Sequence, residues 1–211
     1  MRAPGLVVAH RAGNSAGALA SMPEGVDVVE ADVHLFHGHL EVRHAKALWP
    51  LPILWERWYL LERAAPRPPL SEILPLIPPG VALMIDLKGP DPRLGPAVLR
   101  AAGDLIAERG LTVSGRVWHT IDRMRGVEGV RTLHSVGSPR ELRALLRRRG
   151  ARRPEGVSIH RRLLSPVVAS ALRESADQLW SWPIDDAETA QQLGSWGVTG
   201  FISDAPGRLL G

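Results

Sequence analysis

A chain of 211 residues is long enough to bury one substantial core, and 45% hydrophobic with 23% charged residues places it among ordinary folded proteins, not disordered or fibrous ones. It has no cysteine, which excludes disulfides, thiolate metal sites and a cysteine nucleophile, so any metal must be held by oxygen or imidazole. The net charge of +4 is carried almost wholly by arginine, Lys46 and Lys88 being the two lysines.

The apolar run from Leu6 to Ala9 is cut by His10 and Arg11 too early for a secretion-signal core. No window approaches the roughly 18 apolar residues of a membrane-spanning helix, and a cytoplasmic protein is expected. Short Val-, Leu- and Ile-rich runs then alternate with longer amphipathic stretches, as in a parallel sheet covered by helices. Strands are predicted at 5–10, 26–33, 81–87, 113–119, 130–134, 156–160, 177–182 and 198–203. Helices are predicted around 15–21, 70–77, 93–109, 120–125, 139–149, 165–175 and 186–195, several opened by Ser, Asp or Pro. This alternation predicts a closed (β/α)8 barrel in a single domain over residues 1–211.

The segment from Asp32 to Leu70 breaks the alternation, because HLFHGHLEVRH reads as a hairpin turning at Gly38. A Trp- and Pro-rich stretch follows, too apolar for a linker and too broken by proline for one long helix. It gathers Trp49, Trp55, Trp58 and Tyr59, and on one helical turn Trp55 and Trp58 would stand side by side. Such a segment is either a hydrophobic plug or an apolar lip over the barrel mouth. The basic run Arg147 to Arg153 follows a predicted helix, where the dipole favours cations, and reads as a solvated helix end more readily than as a nucleic-acid stripe.

Chemistry gathers near predicted strand ends. His10 and Arg11 end the first strand, where a barrel builds its active site, and Arg11 suits a phosphate oxygen. In VDVVEADV, Glu30 and Asp32 are two residues apart on a strand and face the same way. Buried together they would need a shared proton or a hard cation such as Mg2+ or Ca2+. MIDLK repeats the spacing with Asp86 and Lys88, as a third metal oxygen and a phosphate-neutralising cation, or as an internal ion pair. His44 returns at the end of the hairpin, and it and His10 suit general acid and base roles. His34, His37 and His39 fall on or beside the turn and read as solvated. His119, His134 and His160 lie at predicted strand ends, where they line a pocket or satisfy local polar groups.

Taken in order, AHRAGNS, VVEADV, LEVRHA, RPPLSEIL and MIDLK resemble the N-terminal motifs of the glycerophosphodiester phosphodiesterases, and LWSWPIDDAETAQQLGSWGVTGFISDAPGRL is similar to that family's closing stretch. The resemblance implies a TIM barrel that hydrolyses a small glycerophosphodiester with a divalent cation, Mg2+ or Ca2+. It makes His10 and His44 the catalytic histidines, Glu30, Asp32 and Asp86 the metal ligands, Arg11 and Lys88 phosphate-binding residues, and Trp182 an aromatic against the alcohol part of the substrate. The chain departs from the family pattern at Ala12, at Ala45, and at Asp86, where glutamate is more common. Lysophospholipase D-like cleavage of lipid phosphodiesters and a non-catalytic phosphodiester-binding barrel are the alternatives.

Overall fold

The structure, a computed structural model, describes residues 1–47, 51, 53–56, 59–62, 67–148, 150 and 153–211. The strands are β1 (Leu6–Ala9), β2 (Val28–Phe36), β3 (His39–Val42), β4 (Lys46–Ala47), β5 (Ile53–Glu56), β6 (Tyr59–Glu62), β7 (Ala82–Leu87), β8 (Leu111–Gly115), β9 (Val130–Val136), β10 (Gly156–His160), β11 (Gln178–Trp182) and β12 (Gly200–Ser203). The helices are α1 (Ala16–Ala20), α2 (Leu70–Ile73), α3 (Leu94–Ala101), α4 (Gly103–Arg109), α5 (Trp118–Asp122), α6 (Pro139–Leu146), α7 (Pro166–Arg173) and α8 (Ala187–Ser195). Eight parallel strands run β1-β12-β11-β10-β9-β8-β7-β2, and β1 pairs β2 to close the ring. This is the TIM barrel that the alternation predicts. Among the described residues no helix is long and apolar enough to cross a membrane.

Strand alternation divides the core. On β2, Val29, Ala31 and Val33 pack outward against the helices, while Val28 joins Val8, Met84, Leu133, Trp180 and Ile202 inside the ring. Each such buried aliphatic side chain contributes about 1.5–3 kcal/mol. The inner layer is fitted around one large ring. Trp180 is fully buried, and a Cβ on Gly200 would lie 2.6 Å from its indole, so only glycine fits on the neighbouring strand. Helix starts follow the predicted caps, with Ser15, Ser138, Ser165 and Asp186 each accepting a backbone N–H of the first turn. A side-chain cap of this kind contributes about 1 kcal/mol.

Several expectations shift. The predicted helix over 93–109 is two helices, α3 and α4, separated at Ala102. The fourth barrel strand is Leu111–Gly115, so His119 lies exposed on α5 and not at a strand end. Strand β2 continues to Phe36 and pairs antiparallel with β3, so His34 sits within a strand and only His37 and Gly38, both at positive φ, make the turn. Trp55 lies on β5 of a small antiparallel sheet β4-β5-β6, which replaces the helical turn proposed for it. Its expected neighbour Trp58, and Trp49, lie outside the described residues. Of the Arg147–Arg153 run, Arg148 turns inward to Asp122 at 2.6 Å and Arg153 Nε donates to the Ser175 carbonyl at 2.7 Å, while 149, 151 and 152 lie outside the described residues.

Candidate active site

The inward face of β2 carries Val28, Glu30, Asp32 and His34 in succession, and the inward face of β7 carries Met84 and Asp86, with Lys88 just beyond its end. Register sets Asp32 directly beside Asp86. Glu30 and Asp32 are buried, and the three carboxylates of Glu30, Asp32 and Asp86 each offer an oxygen within 4.8 Å of the others. Lys88 Nζ lies 2.7 Å from Asp32 Oδ1 and also pairs with Asp86.

Each acid is held by its surroundings. Asn14, just after β1, donates through Nδ2 to Asp32 Oδ2 and accepts the Asp32 backbone N–H, both at 2.8 Å. Ser114 on β8 donates to Asp86 Oδ1 at 2.9 Å. The Arg11 backbone N–H donates to Glu30 Oε2 at 2.6 Å, with Arg11 in the left-handed region at φ 58°, where a side chain costs about 1 kcal/mol or more. Its guanidinium Nε stands 3.6 Å from Asp32 Oδ2.

The electrostatics of the acids are unequal. Burial first, and then the Asp32 charge, push the Glu30 carboxyl up to about 8. Asp32 is buried too, but Lys88 and the Asn14 hydrogen bond hold its pKa below the ordinary value. Without a cation the pair therefore retains a proton near neutral pH, which marks a place where positive charge is wanted. The donor set fits a hard divalent cation, since all three groups are carboxylates and each offers an oxygen within 4.8 Å of the others.

Both histidines border this cluster. His10 Nδ1 lies 2.6 Å from Asp204 Oδ1. Burial alone would lower its pKa, but the Asp204 hydrogen bond and the charges of Glu30 and Asp204 raise it. Asp204 is itself placed by its backbone N–H, which donates to Asp185 Oδ1 at 2.9 Å. His44 lies just past β3, not on a strand, and its charge is felt by both Asp32 and His34. Its neighbours pin it: the Arg43 N–H donates to the Asp32 carbonyl at 2.9 Å, and the Arg43 guanidinium to the Ala45 carbonyl.

Sequence reasoning missed four of these partners. His34 shares the Glu30–Asp32 face, is half-buried with Nε2 unbonded among the described residues, and is held neutral, its pKa lowered to about 3 by burial and then by Arg43 and Lys88. The period-2 spacing 30, 32, 34 was the available signal. Asn14 and Asp204 lie within the quoted motifs, but their bonds and that of Ser114 cross between strands, so no local spacing assigns their partners. Trp182 ends β11 farther round the ring, its indole 4.8 Å from the His160 imidazole in an edge-to-face pair. Of the three histidines expected at strand ends, only His160 faces the mouth this way. His134 is fully buried on the helical side, bonded to Asp122 at 2.9 Å.

No family model matches the chain, and no curated protein matches it. Solved structures do. A phosphodiesterase from Oleispira antarctica, in complex with the product sn-glycerol-3-phosphate, is 17% identical with a TM-score of 0.75, the match covering 98% of this chain and 95% of that one. A glycerophosphodiester phosphodiesterase from Thermotoga maritima is also 17% identical, with a TM-score of 0.74 and coverage of 98% and 97%. One from Parabacteroides distasonis is 19% identical, with a TM-score of 0.70 and coverage of 99% and 96%. At these identities the likeness establishes a shared fold.

Proposed function

We propose that this barrel hydrolyses glycerophosphodiesters to an alcohol and glycerol phosphate. The observation that carries the reading is the convergence of three carboxylates within 4.8 Å at the mouth of the ring, bordered by two histidines, an arginine and a lysine. The likeness to phosphodiesterase structures, one of them holding sn-glycerol-3-phosphate, supports it.

Glu30, Asp32 and Asp86 would hold the divalent cation, Mg2+ or Ca2+, and when bound it supplies positive charge to the phosphate oxygens as the transition state forms. Arg11 and Lys88 bind the remaining phosphate oxygens. The Nδ1 of His10 is tied to Asp204, so its Nε2 is the nitrogen that meets substrate, and the Asp204 pairing favours the protonated ring. His10 therefore enters as the acid. His44 takes a proton from the attacking water, the phosphorus–oxygen bond to the alcohol breaks, and His10 gives its proton to the departing oxygen. Solvent then returns His10 and His44 to their starting states.

A second reading, cleavage of lysophospholipid-like diesters, is favoured by one feature. Trp55 and Leu60 stand directly opposite one another on β5 and β6, 46% and 58% exposed, on the segment that follows His44. A turnover screen over glycerophosphodiesters and lysophospholipids, with chelator and with added Mg2+ or Ca2+, tests both. Cation-dependent release of glycerol phosphate is expected. Full activity in metal-free protein, or no turnover of any diester, overturns the main reading, and equal use of acylated and non-acylated substrates removes the second.

A further inference from the structure

From the strand next to Asp86 round to β10 and β11, a second group of side chains has no part in the proton transfers described above. Arg116 follows the end of β8, two residues beyond the Ser114 that bonds Asp86. Its Nε and Nη2 both donate to Glu141 Oε1, at 3.0 and 2.7 Å. Glu141 is fully engaged, because Oε2 accepts the Gly137 N–H at 2.8 Å and the Ser138 hydroxyl at 3.0 Å. Ser138 caps α6 by accepting the Glu141 N–H, so the same turn that starts the helix also fixes the guanidinium.

Gly137 is what lets the group assemble. A Cβ there would lie 3.3 Å from Arg116 Nη2 and 3.4 Å from the edge of the Trp182 indole, so guanidinium and indole converge over a bare backbone. His160 closes the other side of Trp182, and its Nδ1 accepts the Arg162 N–H at 3.2 Å, which leaves its proton on Nε2 as a donor. Arg116 keeps Nη1 without a protein acceptor among the described residues, and the side chain is 54% exposed. The corner is thus rich in hydrogen-bond donors, with the Arg116 charge balanced by Glu141.

The geometry points to Arg116 as a specificity-determining residue: with Trp182 and His160 it forms a subsite for the alcohol part of the diester, taking substituents that carry acceptor oxygens, such as a polyol or a carboxylate, over a quaternary ammonium. Trp182 alone would attract a trimethylammonium group through its ring face. The guanidinium beside it offers hydrogen bonds that a quaternary ammonium cannot accept. This inference rests on the phosphodiesterase reading.

The test compares glycerophosphoserine and glycerophosphoglycerol with glycerophosphocholine, measuring kcat/KM with divalent cation present and affinity by titration calorimetry. Wild-type protein should favour the first two by about 10-fold or more, the contribution of a charge-assisted hydrogen bond. Arg116→Gln should erase most of that preference by weakening use of the acceptor-bearing diesters, and Arg116→Lys should restore part of it. Turnover without preference, or an equal loss on all three diesters in Arg116→Gln, overturns the subsite and leaves the activity standing. Selective binding without turnover overturns the activity and leaves the subsite, while absence of both binding and turnover overturns the two together.

Discussion

His10 is placed by two bonds, its backbone N–H to the Ser203 carbonyl at 2.9 Å and its Nδ1 to Asp204 at 2.6 Å. The first sets where the ring is, and the second engages Nδ1 and raises the ring's hold on a proton, which in the proposed reaction leaves Nε2 to meet substrate. Asp204→Asn should therefore lower kcat and move the alkaline limb of the pH–rate profile to lower pH. The sign follows from charge: removing the carboxylate lowers the His10 pKa, so the acid form is lost sooner as pH rises. An unchanged profile would reduce Asp204 to a structural partner. His10→Ala and His44→Ala should each lower kcat by about 10²-fold or more. Their double mutant should be far less than multiplicatively worse, because proton removal and delivery belong to one displacement.

At the scale of strands, the inner layer allows one large ring because its neighbour has none. Gly200→Ala would press a methyl into the Trp180 indole, from which it would stand 2.6 Å, and should destabilise by about 1–3 kcal/mol, read as a lower urea midpoint with the slope unchanged. A neutral result would show that β11 and β12 separate easily. The barrel strands were legible because buried parallel strands are near-continuous apolar runs, and the hairpin because His37-Gly38 accommodates positive φ. The paired acids were legible for the related reason that a period of two needs no partner strand to be seen. The sheet β4-β5-β6 was not, since its strands have two to four residues and no run long enough to show alternation. His119 was misplaced because a valine and a tryptophan just after β8 extend its apolar pattern into α5.

For the molecule as a whole, the acid cluster couples stability to pH. Glu30 in the folded protein holds its proton up to about 8, against an ordinary 4.5. The stability it contributes is full below 4.5 and is lost as pH rises through 8. In the proposed site a divalent cation would replace that proton, so the gain in melting temperature on adding Mg2+ or Ca2+ should grow between pH 5 and pH 8.5. Comparing the two curves cancels groups far from the cluster, such as His134, whose pKa is lowered to about 4 by burial. A cation effect that is flat or falls with pH would remove Glu30 from the ligand set.

The pairing of His10 with Asp204 spans 194 residues of sequence, and β1 is hydrogen-bonded to β12 along its whole length. The three acids lie within residues 30–86, whereas His10 meets Asp204 only where the last strand joins the first. Contacts of such long range are slow to form. In the proposed reaction the acid is therefore complete only once the two ends of the chain have met, and closing the ring is the step that brings His10 and Asp204 together.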